Sequence, residues 1–311
     1  MDRCSQFIKN RALFGSFPTQ DSINELEHAG VRYFIDLTTG VEDKTTPYQT
    51  KHTYMKYPIV DRRTPQNWKS FAVFIIKVAN IISNLKDGDM IYVHCKGGHG
   101  RSGVVVASLL CHIFGMTASM ALERTTKCHN KRSIMRDKWR SLGSPQTSSQ
   151  KSFVHRFFEP LYFYRAYKTG RISGLPNFSR HQVTIPDLGT FPTAEAAFQA
   201  SKNPTNKDYI EMQKNSKSPV HSKHIGKSVY LRKDWEEVKD SVMYEILRCK
   251  FEQNTDAYFN LVNTCIRPLV SQTSDPYWGT GLNGLGANKM GKVLSDLRES
   301  LLNSEDIQQP T

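Results

Sequence analysis

The sequence has no apolar run long enough to cross a bilayer. A spanning helix needs about 20 consecutive apolar residues, and the longest candidate, Gly103 to Met116, falls short and carries His112. The residues after Met1 lead into no apolar core of the secretory kind, so no signal peptide and no membrane partner are expected, and the expected location is intracellular, cytoplasmic or nuclear. Cysteine is sparse. The six residues Cys4, Cys95, Cys111, Cys128, Cys249 and Cys265 form no CxxC pair and no dense framework, which reads as reduced thiols. Histidine shows neither HExxH nor paired Cys/His spacing, so no metal and no redox cofactor are expected. Acidic residues are in deficit, 29 against 42 Lys and Arg, for a net charge of +13. That surplus points to anionic partners such as phosphates, nucleotides or nucleic acid.

What is present is globular: 311 residues, 38% hydrophobic and 11% aromatic, which excludes a disordered chain and suits two domains. The stretch Arg140 to Ser152, RSLGSPQTSSQKS, has linker composition. It divides a first domain (residues 1–140) from a second (156–311), with 141–155 as linker. No internal repeat links the halves, so two unrelated folds are expected. In the first, Val31 to Leu37, Tyr54 to Val60 and Met90 to His94 read as strands. Phe71, Phe74, Ile75, Val78, Ile81, Ile82 and Leu85 recur at helical steps, and a further helix starts near Arg101. Strands alternating with helices predict an α/β domain with a central sheet flanked by helices. In the second half Thr193 to Lys202, Trp235 to Phe251 and Val293 to Leu302 read as helices and Gln182 to Ile185 as a weak strand, predicting a mainly helical α+β domain.

Between a strand and a helix lies His94-Cys95-Lys96-Gly97-Gly98-His99-Gly100-Arg101-Ser102-Gly103. Glycines at 97, 98 and 100 let the backbone curl until successive amides point inward, an anion nest to which the helix N-terminus adds positive potential. Arg101 offers a fork to two phosphate oxygens, and the same field favours the thiolate of Cys95 as a nucleophile. Asp61, 34 residues earlier at the head of a Pro-containing loop, is a candidate proton donor.

HCKGGHGRSG resembles the signature of cysteine-based phosphatases of the compact dual-specificity branch, and LFGSFP and YPIVDRRTP extend the resemblance over about residues 10 to 140. The resemblance implies that Cys95 attacks phosphorus to form a phosphocysteine, Arg101 holds the phosphoryl oxygens, Asp61 is the general acid, Ser102 assists thiolate departure and His94 tunes the cysteine. Lys96, Gly97, Gly98, His99 and Gly100 would line the cradle, with Lys96 and His99 making it more basic. Phosphoprotein, phosphoinositide, nucleotide, RNA 5′-phosphate and phosphorylated ADP-ribose all fit such a cradle.

In the second half Glu195, Gln199 and Lys202 share one helix face, which alone reads as solvated. Lys250 continues the apolar stripe Val242, Met243, Ile246, Leu247, so it either snorkels or is desolvated, the latter suiting Schiff-base chemistry at a sugar C1. Asp275-Pro276-Tyr277-Trp278-Gly279-Thr280-Gly281 combines stacking surfaces with close backbone approach. Together with Asn177-Phe178, FPTAEAAFQASK, LRKDWEEVK and KFEQ, these blocks resemble the NADAR (YbiA-like) family over about residues 160 to 302. The resemblance implies an N-glycosidase that cleaves a ribose–base bond, on ADP-ribosylated guanine or related ribosylated bases or nucleic acid. Glu195 would be the catalytic carboxylate, Trp235 and Trp278 would pack or stack, and Asp275 would orient the sugar. Asn177, Phe178, Tyr277 and Gly279 would contact substrate, and either Lys202 or Lys250 would attack C1.

The expectation is a bifunctional hydrolase without cofactors. The competing class is a phosphate-binding pseudophosphatase that recruits partners to the glycosidase; a third, resting only on charge, is a nucleic-acid-binding structural protein.

Overall fold

The computed structural model describes residues 2–40, 42–43, 45–164 and 173–307; the part of the second resemblance that falls on 165–172 lies outside them. Elements of the N-terminal half follow the hydrophobic pattern. They are β1 (Cys4–Ile8), β2 (Ala12–Ser16), α1 (Gln20–His28), β3 (Val31–Asp36), β4 (Thr53–Lys56), α2 (Trp68–Ser83), β5 (Met90–Cys95), α3 (Arg101–Phe114), α4 (Ala118–His129), α5 (Asp137–Leu142) and α6 (Ser148–Phe157). The sheet order is β1-β2-β5-β3-β4. β1 and β2 pair antiparallel, and the remaining contacts are parallel, with Ser16 and Asp36 flanking Cys95 and His94 in register. β5 is central and buried along its whole length, as its run of apolar residues requires. Its C-terminal end is therefore where loops converge, the usual place for a site in a parallel sheet.

Two differences from the sequence reading have physical causes. The expected strand Tyr54 to Val60 ends at Lys56; Pro58 has no N–H to give a ladder, and Tyr57 instead stacks on Phe74 with ring centroids 4.3 Å apart. The segment expected to be a linker, residues 141–155, holds most of α6. Thr147 and Gln150 form a capping box that starts this helix. Phe153 and Phe157, four residues apart, are buried against Trp68 and Phe71 at centroid distances of 5.1–5.6 Å. Of the polar residues that suggested a linker, Ser148, Ser149 and Ser152 lie on the exposed face of this amphipathic helix, while Ser144 and Gln150 are buried. Contact density accordingly separates two compact units at Met1–Glu159 and Pro160–Thr311.

The second unit contains β6 (Leu161–Phe163), β7 (Val183–Ile185), β8 (Gly189–Phe191), α7 (Ala194–Ala200), α8 (Lys207–Lys214), α9 (Pro219–Ile225), α10 (Trp235–Gln253), α11 (Thr255–Val262), β9 (Leu269–Ser271) and α12 (Lys289–Ile307). β6 pairs with β9 and β7 with β8, and helices supply the rest of the core. Among the described residues no helix is long and apolar enough to cross a membrane.

Candidate active sites

In the first unit, β5 delivers His94 and Cys95 to the sheet's carboxyl end and α3 begins six residues later at Arg101. The loop between them is held by its carbonyls. Lys96 O accepts from Phe17 N at 3.1 Å, Gly98 O from Arg132 Nη1 at 2.8 Å and His99 O from Ser144 Oγ at 2.7 Å. With the carbonyl edge anchored to the surrounding protein, the amide edge is left for an anion. Gly98 has φ of 72°, and a Cβ there would lie 2.3 Å from the backbone carbon of Gly15, so only glycine fits.

Cys95 is 2% exposed, with Sγ 3.6 Å from Ser102 Oγ. Arg101 is 1% exposed, and its guanidinium is almost fully subscribed. Nη1 donates to Glu42 Oε1 and to Ile59 O (3.0 Å); Nη2 donates to Glu42 Oε2 (2.8 Å) and lies 3.0 Å from Asp61 Oδ1. Burial opposes the charge on Arg101, yet Glu42 overrides it and holds the guanidinium above its ordinary value. In the same way burial opposes ionisation of Glu42, while Arg101 and the Thr39 amide hold it below the usual carboxylate range. Arg101 Nε is buried with no hydrogen-bond partner among the described residues. An unpaired donor beside a nucleophilic sulfur is what an incoming oxyanion would satisfy. Asp61 is exposed at the mouth, next to Arg101.

His94 is fully buried. Its Nε2 meets the Tyr48 hydroxyl at 2.7 Å, and burial pushes it down to about 4 with Asp36 opposing. Asp36 itself is a turn residue, accepting from the Thr38 amide and hydroxyl at 2.8 Å and from Tyr54 at 2.6 Å. Two expectations about the loop separate here. Lys96 stays half-exposed with Asp43 3.7 Å away. His99 does not add charge to the cradle. Its ring stacks on Trp139 at 4.8 Å, its Nδ1 meets His129 Nε2 at 2.8 Å, and burial pushes it down to about 3. Glu42, Tyr48, Arg132 and Ser144 carry this architecture without belonging to any local motif; only the fold brings them to the loop.

The second unit encloses a cavity of about 590 Å³. α7 supplies one wall, capped by Thr193, whose hydroxyl accepts from Ala196 N at 3.2 Å. Glu195 and Gln199 are buried rather than solvated, and pair across one turn: Gln199 Nε2 donates to Glu195 Oε1 at 2.8 Å, while Gln199 Oε1 has no partner among the described residues. Asn177 Nδ2 donates to Glu195 Oε2, and the Glu195 amide donates back to Asn177 O at 3.0 Å. Burial raises Glu195 above the usual carboxylate range, with Gln199 opposing. Lys202 also lines the cavity, its Nζ donating to Gly226 O at 3.1 Å. Burial lowers it, against the pull of Glu195.

Lys250 lies elsewhere. It is 0% exposed, is not among the lining residues, and its Nζ donates to Gly174 O (2.6 Å) and Pro176 O (2.8 Å). Snorkelling is ruled out. Its amine is engaged by those two carbonyls, away from the residues that line the cavity. Phe178, Tyr277 and Trp278 line the cavity. Trp235 also lines the cavity and is packed on Phe198 at 5.0 Å, which Trp278 meets edge-on at 5.4 Å. Asp275 Oδ1 accepts from the Tyr277 and Trp278 amides, both at 3.0 Å, while Oδ2 sits 4.0 Å from Lys223. Gly279 is required by packing: a Cβ there would approach Thr273 Oγ1 to 2.1 Å. Lys223, His224 and Lys227 also line the cavity without any sequence motif that singled them out.

Fold and sites define a two-domain protein, a cysteine-phosphatase domain followed by an N-glycosidase-type domain. Residues 1–154 match the family described as Swiss Army Knife protein, DSP-PTPase phosphatase domain, and residues 162–302 match the NADAR domain. A protein named as tyrosine phosphatase 197R of Invertebrate iridescent virus 6 is 33% identical over 299 residues, covering 96% of this chain and 91% of that one. N-glycosidase YbiA of Escherichia coli (strain K12) is 41% identical over 128 residues, 40% of this chain and 79% of its own. Among solved structures, that of E. coli YbiA is similar at 34% identity and a TM-score of 0.44, over 50% of this chain and 90% of that one. Tk-PTP in its active form is similar at 20% identity and a TM-score of 0.38, over 50% and 95%. The chain belongs to the PTP-SAK phosphatase family through its first domain and to the NADAR family through its second.

Proposed function

We propose that the chain is a bifunctional hydrolase that cleaves phosphomonoesters in its first unit and N-glycosidic bonds in its second. In the first, the Cys95 thiolate attacks phosphorus while Asp61 gives a proton to the departing oxygen, leaving a phosphocysteine. Arg101 and the loop amides carry the charge of the in-line transition state. Water then attacks phosphorus, releasing phosphate, and the Ser102 hydroxyl stabilises the departing thiolate. The observation that carries this reading is the meeting of three groups: a buried cysteine, an arginine with an unpaired Nε–H, and an aspartate 3.0 Å from that arginine. A phosphate reader needs only the cradle, so Asp61 favours catalysis over recruitment. Hydrolysis of para-nitrophenyl phosphate, lost in Cys95→Ser and Asp61→Asn variants that still bind phosphate, tests it; equal turnover by Cys95→Ser would leave the recruiting role.

In the second unit Glu195, whose protonated form burial favours, donates to the leaving base or ring oxygen. Lys202, its charge disfavoured by burial, attacks the anomeric carbon and breaks the N-glycosidic bond, the base leaving with a proton. The ring C1–O bond then opens, its oxygen taking a proton and the nitrogen losing one, to give a Schiff base that water hydrolyses to the free ribose and the amine. Lys202 is preferred because it shares the cavity with Glu195, whereas the Lys250 amine is engaged by two carbonyls. The lysines and aromatic rings of the cavity suit an anionic nucleotide, and ADP-ribosylated bases are the substrates proposed. Borohydride trapping followed by peptide mapping should place the label on Lys202; a label on Lys250 would overturn this assignment. Phosphorylated and ADP-ribosylated nucleotides or nucleic acid would form a common substrate class for both units, which a shared substrate panel on the separate activities tests.

A further inference from the structure

Lys250 is a costly residue for its surroundings. Burying an amine completely requires that its hydrogens find acceptors, and here they find the carbonyls of Gly174 and Pro176. Those carbonyls belong to an irregular segment with no sheet or helix ladder of its own. Ser179 donates to both, its amide to Pro176 O at 3.0 Å and its hydroxyl to Gly174 O at 3.5 Å, and Lys250 adds a second, shorter bond to each. The segment is pressed close to α11: a Cβ on Gly174 would come within 2.7 Å of Ala257 Cα. The residue after Pro176 is Asn177, whose side chain donates to Glu195 and whose carbonyl accepts from the Glu195 amide.

We propose that Lys250 is a positioning residue for the glycosidase site, a clamp beneath residues 174–176 that holds Asn177 against the carboxyl group of Glu195. The proposal rests on the glycosidase reading of the cavity. It explains why a helix otherwise apolar on this face carries a lysine at its buried end. A methionine would fill the space but take the shorter donor from Gly174 O, left with the Ser179 hydroxyl at 3.5 Å, and one of two donors from Pro176 O, left with the Ser179 amide at 3.0 Å. Burial pushes Lys250 down to about 7, with Asp256 opposing, and a neutral amine has two N–H groups for the two carbonyls. The groups facing Glu195 are Asn177 and Gln199, which donate to its carboxyl, and the charged Lys223, Lys202 and Asp275; Lys250 acts only through the loop.

The test uses the full-length protein and two measurements. The first is the titration midpoint of the Glu195 carboxyl, followed by NMR with ¹³C-labelled glutamate. The second is kcat and KM for release of base from an ADP-ribosylated guanine substrate. The Asn177 amide favours the ionised carboxylate, so Lys250→Met and Asn177→Ala should each raise the Glu195 midpoint. Each should lower kcat by about a hundredfold, the scale of a small misplacement of a reacting group, with KM little changed. The double variant should match the single ones, because both act on one contact. Should Lys250→Met fail to accumulate folded protein, Lys250→Gln, which keeps two N–H donors on a shorter arm, replaces it with the same sign and a smaller shift. An unmoved Glu195 midpoint in the Lys250 variant, or effects that multiply in the double variant, overturns the proposal. If wild-type protein releases no base, the glycosidase reading fails, while the titration still decides whether Lys250 positions Glu195.

Discussion

Replacing Glu42 by Gln probes how Arg101 is held. Arg101 is 1% exposed and Glu42 takes both of its terminal nitrogens, so the pair is a buried, bidentate salt bridge. Leaving one partner of such a pair uncompensated costs about 3–5 kcal/mol. Asp61 and Ile59 O remain as partners of the guanidinium, and glutamine keeps one acceptor. The expected loss is therefore smaller, about 2–3 kcal/mol, which at roughly 1.4 kcal/mol per decade is a 30- to 150-fold fall in kcat if it is expressed in the transition state. The same substitution removes a negative charge that competes with the substrate for the arginine. Inorganic phosphate and vanadate should then inhibit more tightly even as turnover falls. Steady-state hydrolysis of para-nitrophenyl phosphate, with phosphate inhibition measured alongside, separates these effects. Wild-type kcat together with wild-type phosphate affinity would refute the argument that Glu42 orients Arg101.

Two further outcomes concern the first unit. His94, His99 and His129 are pushed by burial to about 4, 3 and 4, all below the ordinary imidazole value near 6.5. The unfolded chain therefore takes up protons first: stability is complete above about pH 6.5 and falls toward pH 4, by up to roughly 1.4 kcal/mol per pH unit for each imidazole. Urea midpoints that stay flat from pH 7 to 5 would contradict this. Ending the chain at residue 140 removes Phe153, Val154 and Phe157, which are buried. At about 1.5–3 kcal/mol each, their loss rivals a typical domain stability of about 5–15 kcal/mol. Residues 1–140 should give the collapsed NMR dispersion of an unfolded chain, and residues 1–159 a folded spectrum with phosphatase activity.

How legible each site was depended on how local its causes are. The cradle from His94 to Gly103 could be read because its glycines, nucleophile and arginine sit within one strand–loop–helix turn. Its braces could not, since Arg132 and Glu42 reach it from 34 and 59 residues away. The α7 face misled for a different reason. Periodicity distinguishes polar from apolar but not solvated from mutually bonded, and Glu195 with Gln199 is buried because the two side chains pair. Residues 141–155 misled through composition: serine, threonine and glutamine surround a single phenylalanine, Phe153, yet it and Phe157 just beyond decide where the helix packs. For Lys250 the position in the stripe left snorkelling and desolvation both open; its acceptors, which decide the matter, come from a segment 74–76 residues earlier.

The two units use burial in opposite ways, and each use matches its proposed chemistry. In the first, a cation is buried with a carboxylate partner strong enough to keep it charged, which is what a dianionic phosphate needs. In the second, burial pushes a carboxyl up and an amine down within one cavity. In water a glutamate near 4.3 and a lysine near 10.4 are both ionised at pH 7. A protonated acid and a free amine, the pair that Schiff-base cleavage of a glycosidic bond requires, would then rarely coexist. Burial shifts each group toward its neutral form and so favours that pair. Their attraction for each other as ions works against that shift, since each favours the charged form of its partner. Desolvation is the larger cause for both residues. A change that admits water to α7 should therefore restore the ion pair and abolish turnover without removing either residue.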